Sequence, residues 1–413
     1  MVRHERASGE AAFSGAVDVV DGVRRFDFPA MSRVLYGPRS SAELGAEIAR
    51  LGGTRALLVT TPSTARCNSA VEQLIRDLGA LVVGVFSGAQ AHVPASAVRE
   101  ATRAARLARA DLIISIGGGS AIDCGKAVAL CAPGEEDPVE RLRRLAIRGQ
   151  VDSFEVPVVE VDPLPHIAVS TTLSGAEFTP TFTVTNEATR AKEMVHDARL
   201  TPVVAILDAT VASQTPSWLW AASGVRAIDH CVEWYLSKAR TPFTDALCLP
   251  ALRSLYENLP LSVQGSEGVA ARQQCQVAAW MSVYGSSNVL GGLSHAIGHQ
   301  LGSHCGMPHG FTSCIVLPHV IRFNSAVAAS RVADLAAMFG LTAGTTQERA
   351  AAFVDELVAL IRRLGLPTSL SEAGAADADL DRIAEATMTE VAIVNNPRPV
   401  AVSDIREILE RAR

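Results

Sequence analysis

The chain has 413 residues and a net charge of −6, with 48% hydrophobic and 19% charged residues. This length allows two domains with substantial cores. The composition has no basic surplus for nucleic acid, and no apolar run approaches the roughly 20 residues of a membrane span. A soluble globular protein that binds neither nucleic acid nor membrane is therefore expected.

Residues 1–30 are interpreted as a polar, loosely ordered N-terminal tail. This segment lacks the compact apolar core of a signal peptide. The eight cysteines include no Cys-x-x-Cys pair, and several lie within apolar segments. This pattern indicates reduced core thiols in a cytoplasmic protein.

From residue 31 to 209 strand and helix patterns alternate, which predicts a doubly wound, mostly parallel α/β domain. A charged stretch at 132–165, interrupted by proline and glycine, is interpreted as a surface insertion. Short β-branched apolar runs predict strands, and helical patterns lie between them. The predicted strands are 55–61, 81–86, 111–116, 166–171 and 203–207, with a hairpin-like segment at 180–185 and helices at 68–78 and 95–110.

After about residue 210 the strand patterns nearly disappear. Residues 210–413 are therefore predicted to form an all-helical domain. Helical periodicity is found at 218–236, 268–289, 331–339, 346–364 and 403–412.

A glycine-rich turn, Gly117 to Gly119, joins the predicted strand 111–116 to a helix that begins near Ser120. Glycines let the backbone approach a phosphate closely, and a helix N-terminus offers free N–H groups to it. The alternative is structural, since Ser120 and Asp123 have the spacing of a capping box. Lys126, further along this helix, either reaches a phosphate or is solvated.

A second turn follows the predicted strand 166–171 and carries Thr171 and Thr172. Ligands bind at the carboxyl edge of such sheets, so the two turns together predict a dinucleotide crevice, with an ordinary turn as the alternative. The strand that ends near Thr60 and Pro62 offers no carboxylate for a ribose 2′-hydroxyl. The residues therefore do not distinguish NADH from NADPH.

Four of the ten histidines lie between residues 295 and 310. His295 and His299 share a helix face, and a Gly-Met-Pro break before His309 is expected to end that helix. Such a cluster can bind a divalent metal, transfer a proton, or both. In the helix predicted at 218–236, Arg226 and His230 are also four residues apart. In the same helix, Asp229 is one residue off that shared face, and Glu233 lies one turn beyond His230, outside the apolar stripes.

Six segments, in this order, resemble the iron-containing (group III) alcohol dehydrogenase family. The resemblance covers nearly everything after residue 30, and it implies a dinucleotide domain, a helical domain and an active site between them. The segments are 117–130, 170–180, 192–208, 223–233, 295–324 and 395–410.

Within the family the chain is most similar to the maleylacetate reductases. This similarity rests on residues 84–94, on 230–233 and on the length of the 170–180 segment. Two features depart from it, since those reductases typically lack an acidic residue at the position of Asp123 and the 132–165 insertion is longer than expected.

The resemblance also implies which residues form the site. Metal-dependent members bind iron or zinc through one aspartate and three histidines, and the matching positions here are Arg226, His230, His295 and His309. A guanidinium has no lone pair to donate. At about 4 Å from a dication its repulsion would be on the order of 8 kcal/mol at an effective dielectric constant of about 20. A bound iron or zinc ion is therefore not expected, and maleylacetate reductases likewise work without one.

The resulting hypothesis is a reductase that transfers hydride from NADH or NADPH to a small unsaturated oxo acid or carbonyl compound. Arg226 would bind a carboxylate or enolate oxygen, and His299, which matches the family's histidine near the nicotinamide, is the first choice as proton donor. His230 and His295 are alternative donors, and His309 completes the expected catalytic set. The expected cofactor residues are Gly117, Gly118, Gly119, Ser120, Asp123, Thr171, Thr172, Lys192, Thr60 and Pro62.

Three other functions remain open at this point. They are an iron- or zinc-dependent alcohol dehydrogenase, an NAD-binding lyase or synthase of the dehydroquinate synthase type, and a binding protein that has lost activity. The family also suggests a homodimer or larger homo-oligomer.

Overall fold

The computed structural model describes residues 19–20, 23–150, 153–189, 192–264 and 268–413. The strands in these residues are β1 (Val19–Val20), β2 (Val23–Arg24), β3 (Arg33–Tyr36), β4 (Ala56–Thr60), β5 (Val82–Phe86), β6 (Leu112–Gly117), β7 (Arg148–Gln150), β8 (Ser153–Glu155), β9 (His166–Ser170), β10 (Thr181–Thr185), β11 (Lys192–His196) and β12 (Val204–Leu207).

A parallel sheet organises the first half of the chain. Its strand order is β3-β12-β9-β6-β4-β5, and every pairing in it is parallel. Strands β4, β6, β9 and β12 are buried along their whole length. This burial explains why they read as continuous apolar runs, as strands covered by helices on both faces do. The predicted α/β fold is confirmed.

Seven helices belong to the described part of this first half. They are α1 (Leu44–Arg50), α2 (Pro62–Cys67), α3 (Ser69–Leu78), α4 (Ala95–Leu107), α5 (Gly119–Cys131), α6 (Pro138–Leu145) and α7 (Ala209–Ala212). Helices α4 and α5 pack against each other and, with strands of the sheet, enclose one apolar core cluster.

The second half is helical throughout its described residues, as predicted. Its helices are α8 (Ser217–Leu236), α9 (Pro242–Ser262), α10 (Gly268–Val283), α11 (Ser286–Val289), α12 (Leu293–Cys305), α13 (His309–Met338), α14 (Thr346–Arg363), α15 (Leu380–Thr387) and α16 (Val402–Arg411). Helix α8 lies at the centre and packs against α9, α10 and α13. It is buried on nearly every side, so the polar side chains that it carries must find partners inside the protein.

The segment 132–165 is more than a surface insertion. It contains α6 and the β7–β8 hairpin, and Leu142 and Leu145 of α6 belong to the core that α4 and α5 also line. The expectation of a purely superficial segment is therefore wrong for α6. An apolar helix face removed from water explains this packing.

The end of the expected N-terminal tail contacts the helical half. The Phe26 ring lies 5.1 Å from that of Phe243, and the backbone N–H of Asp27 donates to Asn288 Oδ1 at 2.7 Å. Residues 1–18 and 21–22, which carry most of the predicted loose tail, lie outside the described residues.

Helix α13 has the length and apolar character of a membrane span by composition alone. Within this fold, 61% of its most apolar window is buried in the protein. Its place among α8, α12 and α14 is that of a core helix. All eight cysteines are free thiols, and six of them are buried.

Candidate active site

The glycine-rich and threonine-rich turns lie side by side, as the sequence predicts. They follow β6 and β9, which are neighbours in the sheet, and the backbone N–H of Thr171 donates to the carbonyl of Gly117 at 2.9 Å. A Cβ atom on Gly118 would lie 2.8 Å from Thr172 Cγ2, and one on Gly117 would lie 2.7 Å from the Cβ of Ala121. Only glycine permits this close packing of the two turns.

The first turn of α5 has no side-chain cap. The helix begins at Gly119, and its N-cap residue, Gly118, makes no side-chain hydrogen bond. The capping box considered for Ser120 and Asp123 is therefore wrong, and Ser120 keeps a partly exposed side chain. The backbone N–H groups of Ala121 and Ile122 donate to the carbonyl of Gly118. Those of Gly119 and Ser120 come before them in this 13-residue helix and stay available to a ligand, where the helix dipole favours an anion such as phosphate.

Lys126 is neither solvated nor available to a phosphate, so both interpretations of this residue are wrong. Its side chain is fully buried. Its Nζ donates to the carbonyl oxygens of Thr179 and Thr181 at 2.8 and 2.9 Å, and Asp123 Oδ1 lies 3.7 Å away. The lysine joins α5 to the chain at the start of β10 and thereby supports the glycine-rich turn.

Glu177, which follows the threonine-rich turn, gives a testable pH dependence. Burial raises the pKa of its carboxyl from 4.5 to about 7. Between these values the native protein holds a proton that the unfolded chain releases, so stability falls as pH rises from about 4.5 to about 7. The difference corresponds to about 3 kcal/mol. We expect Glu177→Gln, which mimics the protonated carboxyl and cannot titrate, to lose this pH dependence.

The measurement for Glu177 is the apparent Tm of the wild type and of Glu177→Gln at pH 5 and at pH 8. The wild type should lose more thermal stability than the variant between the two values. An equal change in both proteins would show that this carboxyl does not titrate in the native state.

The remaining residues expected at the cofactor take different positions. Thr60 is fully buried, and its Oγ1 donates to the carbonyl of Ile116 at 2.6 Å, so its side chain joins β4 to β6 and does not face a cofactor. Pro62 is the first residue of α2, directly after the strand end. Lys192 begins β11 and lies near enough to Asp123 for that carboxylate to raise its pKa, although burial lowers it by more.

Helices α8, α12 and α13 bring the predicted imidazoles together. The rings of His230 and His295 lie 5.1 Å apart, and those of His299 and His309 lie 6.0 Å apart. Helix α12 ends at a left-handed Gly306, and α13 begins at His309. The predicted break therefore turns the chain back so that both helices contribute to one cluster.

Arg226 lies among these imidazoles and acts on their protonation. Burial, with the Arg226 charge adding to it, lowers the pKa of His230 and His295 well below the ordinary value. The pKa of His309, whose side chain is partly open to solvent, is lowered as well, first because the protein around its ring displaces water and then because of the Arg226 charge. The guanidinium stays cationic at neutral pH, so a fixed positive charge lies beside three neutral imidazoles.

Glu233 holds His295 in place, a role that the sequence analysis missed. Its buried carboxylate accepts the backbone N–H groups of Gly292, Ser294 and His295 at 3.0, 2.6 and 3.1 Å. These groups belong to the first turn of α12, which Glu233 therefore caps from α8. Its Oε2 also lies 2.6 Å from His295 Nδ1. We assign the His295 proton to Nδ1, because this oxygen already acts as an acceptor.

Asp229 was likewise missed, and it positions Arg226. Its side chain is fully buried, and its Oδ2 accepts hydrogen bonds from Ser294 and Ser313 at 2.9 and 2.6 Å. Arg226 Nη1 donates to Ser313 Oγ at 3.1 Å and lies 3.5 Å from Asp229 Oδ2. Burial and the neighbouring Glu233 raise the pKa of Asp229 to about 7.

His299 has its own carboxylate partner from a distant part of the chain. Glu390 Oε2 lies 3.1 Å from His299 Nδ1, and Gln300 Nε2 donates to Glu390 Oε1 at 2.6 Å. This pairing favours the proton on Nδ1 and leaves Nε2 for a ligand. Glu390 carries no local sequence motif, because its role depends only on where the C-terminal segment folds.

The set of possible ligands at this site differs in one position from the set that the resemblance implies for metal-dependent members. Three neutral imidazoles can bind zinc or iron, and His295 Nε2 is buried without a hydrogen-bond partner among the described residues. The fourth position, however, holds the Arg226 guanidinium, which cannot be a ligand. Asp229, Glu233 and His295 also place ligand atoms within 4.8 Å of one another. Four N–H groups already occupy Glu233, so this second group does not suit a cation either.

Comparisons with known proteins agree along most of the chain. Residues 31–209 match the family described as iron-containing alcohol dehydrogenase, and residues 220–413 match the Fe-containing alcohol dehydrogenase family, C-terminal. The NAD-dependent methanol dehydrogenase of Bacillus methanolicus is 31% identical over 385 residues, which cover 92% of this chain and 97% of that protein. The maleylacetate reductase of Rhizobium sp. (strain MTP-10005) is 31% identical over 388 residues, which cover 93% and 96%.

A solved structure of 1,3-propanediol oxidoreductase superposes with a TM-score of 0.87 at 30% identity, covering 94% of this chain and all of that one. The relatives thus include both alcohol dehydrogenases and a maleylacetate reductase at equal sequence identity. The chain belongs to the iron-containing alcohol dehydrogenase family and is an oxidoreductase of that family.

Proposed function

We propose that this oxidoreductase uses NADH or NADPH to reduce a small, carboxylate-bearing oxo acid or carbonyl compound, as a maleylacetate reductase does, and that it works without a bound metal. The observation that carries the proposal is Arg226, a guanidinium among three imidazoles where a carboxylate ligand is expected. The name of the NAD-dependent methanol dehydrogenase supports a nicotinamide cofactor, and that of the maleylacetate reductase supports a reduction.

The cofactor is proposed to bind at the adjoining turns of β6 and β9. The uncapped N-terminus of α5 would take the pyrophosphate. Thr171 and Thr172 follow the neighbouring strand β9 and lie directly beside the glycine-rich turn. The nicotinamide would then extend toward the imidazole cluster between the two halves of the chain, at the carboxyl edge of the sheet.

Arg226 is proposed to bind the substrate. Among the described residues its hydrogen bonds come from Nη1 alone, so Nε and Nη2 are available for the two oxygens of a carboxylate. Its side chain is 12% exposed, so a bound anion would be largely shielded from water. In this setting a charge-assisted pair is stronger than at a surface.

The reaction moves a hydride and a proton. When bound, the reduced nicotinamide would supply the hydride for an electrophilic carbon, and the electron pair of the carbonyl or carbon–carbon double bond would take up a proton from this chain. His299 is the preferred proton donor, because burial lowers the pKa of His230 and His295 whereas His299 pairs through Nδ1 with Glu390. The proton transferred would be the one that the His299 imidazolium carries on Nε2. Arg226 would stabilise negative charge that develops on the substrate oxygen.

The experiment that tests the proposal is a screen of NADH and NADPH oxidation by the purified full chain. Maleylacetate, related oxo acids, and simple aldehydes and ketones without a carboxylate would be compared at equal concentration. The proposal predicts turnover of carboxylate-bearing substrates above all others. Efficient reduction of uncharged aldehydes, with none of the oxo acids, would overturn it.

A metal-dependent alcohol dehydrogenase is the second candidate, and one observation favours it. His230, His295 and His309 are all present, and Glu233 fixes the tautomer of His295 as carboxylates do for metal-bound histidines. A lyase or synthase of the dehydroquinate synthase type is less well supported, since both halves match the alcohol dehydrogenase family. The cytoplasmic location and the homodimer or larger assembly remain proposals from the family resemblance.

Converting Arg226 to aspartate provides a direct test between these candidates. The new carboxylate would complete a set of one aspartate and three histidines, which suits iron or zinc. We expect Arg226→Asp to bind about one equivalent of zinc on dialysis and the wild type to bind far less, as measured by elemental analysis. Arg226→Ala is the control for simple removal of the positive charge. Equal stoichiometric zinc in the wild type would favour the metal-dependent candidate.

A further inference from the structure

The threonine-rich turn inserts an apolar side chain into the helical half. Leu173 directly follows Thr172, yet it belongs to a core cluster formed mainly by helices, which includes Val225 of α8 and Leu252 of α9. Its side chain is fully buried. Withdrawing a leucine from such a core returns its apolar surface to water, so the turn stays attached to the helices.

Ser223 of α8 binds the backbone of the same turn. Its Oγ accepts the N–H of Leu173 at 3.0 Å and donates to the carbonyl of Trp220 at 2.8 Å. The bond to its own helix fixes the direction of the hydroxyl, so a lone pair faces the turn. Both Ser223 and Leu173 are buried, and the N–H of Leu173 therefore depends on this one acceptor.

Two more side chains of the helical half bind the chain just before Leu173. Thr215, which lies between α7 and α8, donates from Oγ1 to the carbonyl of Thr171 at 2.8 Å. Gln276 of α10 donates from Nε2 to the carbonyl of Ser170 at 3.3 Å. Both side chains are buried. Three backbone groups within four consecutive residues are thus bound by side chains from outside the α/β half.

The opposite side of this turn touches the glycine-rich turn. The N–H of Thr171 donates to the carbonyl of Gly117, and a Cβ atom on Gly119 would lie 3.2 Å from Ser174 Oγ. The two turns are in direct contact, and close-packed groups transmit a displacement from one to the other. The threonine-rich turn therefore links α8 to the N-terminus of α5, where the pyrophosphate is proposed to bind.

Helix α8 also carries Arg226, the residue proposed to bind the substrate. Ser223 lies three residues before it, which is about 4.5 Å along the helix axis. Asp229 and Ser313 hold the guanidinium of Arg226. One buried helix thus fixes both the turn beside the proposed cofactor site and the proposed substrate residue.

We infer that Ser223 is a positioning residue, which aligns the proposed cofactor turn with Arg226 through the backbone of Leu173. This inference rests on the proposed function. Ser223 is 7% exposed and its hydroxyl is occupied by Trp220 and Leu173, so it acts without touching cofactor or substrate. Without it the Leu173 N–H lacks its acceptor, and the turn must move to find another. A displacement of about 1 Å is enough to weaken a preorganised site by up to about 100-fold.

Dinucleotide binding by the full chain tests this role without turnover. NAD⁺ and NADP⁺ would be titrated by calorimetry into the wild type and the variants, at a temperature where every protein is fully folded. Ser223→Ala should raise the Kd of the tighter-binding dinucleotide by about 10-fold, the effect of losing one buried hydrogen bond. Ser223→Thr, which keeps the hydroxyl, should retain most of the wild-type affinity. Thr215→Val removes a second bond to the turn at nearly constant shape, and it should also raise the Kd.

Ser282→Ala is the matched control. Ser282 is a buried serine of α10 whose hydroxyl, like that of Ser223, donates to the carbonyl three residues earlier in its own helix. Among the described residues this is its one side-chain hydrogen bond, so it does not bind the turn. Ser282→Ala should therefore bind NAD⁺ and NADP⁺ like the wild type, although it loses a buried hydroxyl of the same kind.

Hydrogen exchange locates the change in the protein without dinucleotide. The amide exchange of the peptide that contains Leu173 would be followed by mass spectrometry. Exchange at Leu173 should be roughly 10-fold faster in Ser223→Ala than in the wild type, because the N–H has lost its acceptor. It should be unchanged in Ser282→Ala.

Three outcomes decide the role of Ser223. An unchanged Kd in Ser223→Ala overturns the inference, whatever the exchange rate at Leu173, because Ser223 would then only stabilise the fold. An equal rise of the Kd in Ser282→Ala also overturns it, since the effect would then follow from any lost hydroxyl. Weaker dinucleotide binding by Ser223→Ala, in a protein that reduces no oxo acid, would support the inference while contradicting the proposed function.

Discussion

Replacing Arg226 by alanine is expected to lower kcat/KM for a carboxylate-bearing substrate by about 100-fold to 1000-fold, the usual cost of removing one preorganised donor from an active site. The physical reason is that Arg226 is largely shielded from water and held by Asp229 and Ser313, so its charge acts at nearly full strength on a bound anion. The measurement is steady-state oxidation of NADH or NADPH by the variant.

Two further variants make the Arg226 result interpretable. Arg226→Lys retains the positive charge but loses the planar fork, so it should retain part of the activity. Arg253→Ala removes an exposed arginine from α9 and should leave kcat/KM unchanged. Wild-type turnover in Arg226→Ala would show that the substrate does not depend on the guanidinium.

Glu233→Ala is expected to lower the thermal stability of the protein strongly. The change leaves three backbone N–H groups at the start of α12, and Nδ1 of His295, without their acceptor. The loss of such a buried hub costs about 2–5 kcal/mol. For a domain of this size the loss corresponds to a Tm lower by about 5–15 °C. Activity should fall as well, since His295 loses both its tautomer and its fixed position.

Glu257→Ala is the matched control for Glu233. It lies on the neighbouring α9 with an exposed side chain, and surface substitutions of this kind change stability by less than about 0.5 kcal/mol. If Glu233→Ala melted at the same temperature as Glu257→Ala, the capping role assigned to Glu233 would be wrong.

The features that depend on local pattern could be predicted from the sequence. Strands β4, β6, β9 and β12 read as continuous apolar runs because helices cover both faces of the sheet. The Gly-Met-Pro break before His309 also acts locally, through the left-handed Gly306. Helix α9 is absent from the predicted elements. It contains Pro250 and Pro260, and proline inside a helix ordinarily kinks or ends it.

The features that depend on distant contacts could not be predicted. The sequence pattern places Asp229 off the face shared by Arg226 and His230, and Glu233 outside the apolar stripes of the helix. Because α8 is buried on nearly every side, both carboxylates lie inside the protein and must bind partners there. Glu390 meets His299 across 91 positions of sequence. His92 lies in the segment 84–94, which carries only a resemblance to maleylacetate reductases. Its backbone is left-handed, with a φ of +62°, and no local sequence pattern predicts that conformation.

Lys126 and Thr60 show the opposite error. Both were interpreted from their place beside a ligand-binding turn, yet both are fully buried and bonded to the backbone of neighbouring elements. A polar residue near the carboxyl edge of a sheet can equally serve the packing beneath that edge. Only the count of its hydrogen-bond partners distinguishes these roles.

Metal content and turnover, measured on the same preparation, test the central claim most directly. The full chain would be analysed for iron and zinc as purified, dialysed against a chelator, and assayed with its carboxylate-bearing substrate before and after that dialysis. The account predicts far less than one equivalent of either metal and an unchanged kcat. A stoichiometric metal ion whose removal abolishes turnover, and whose return restores it, would contradict the role assigned to Arg226.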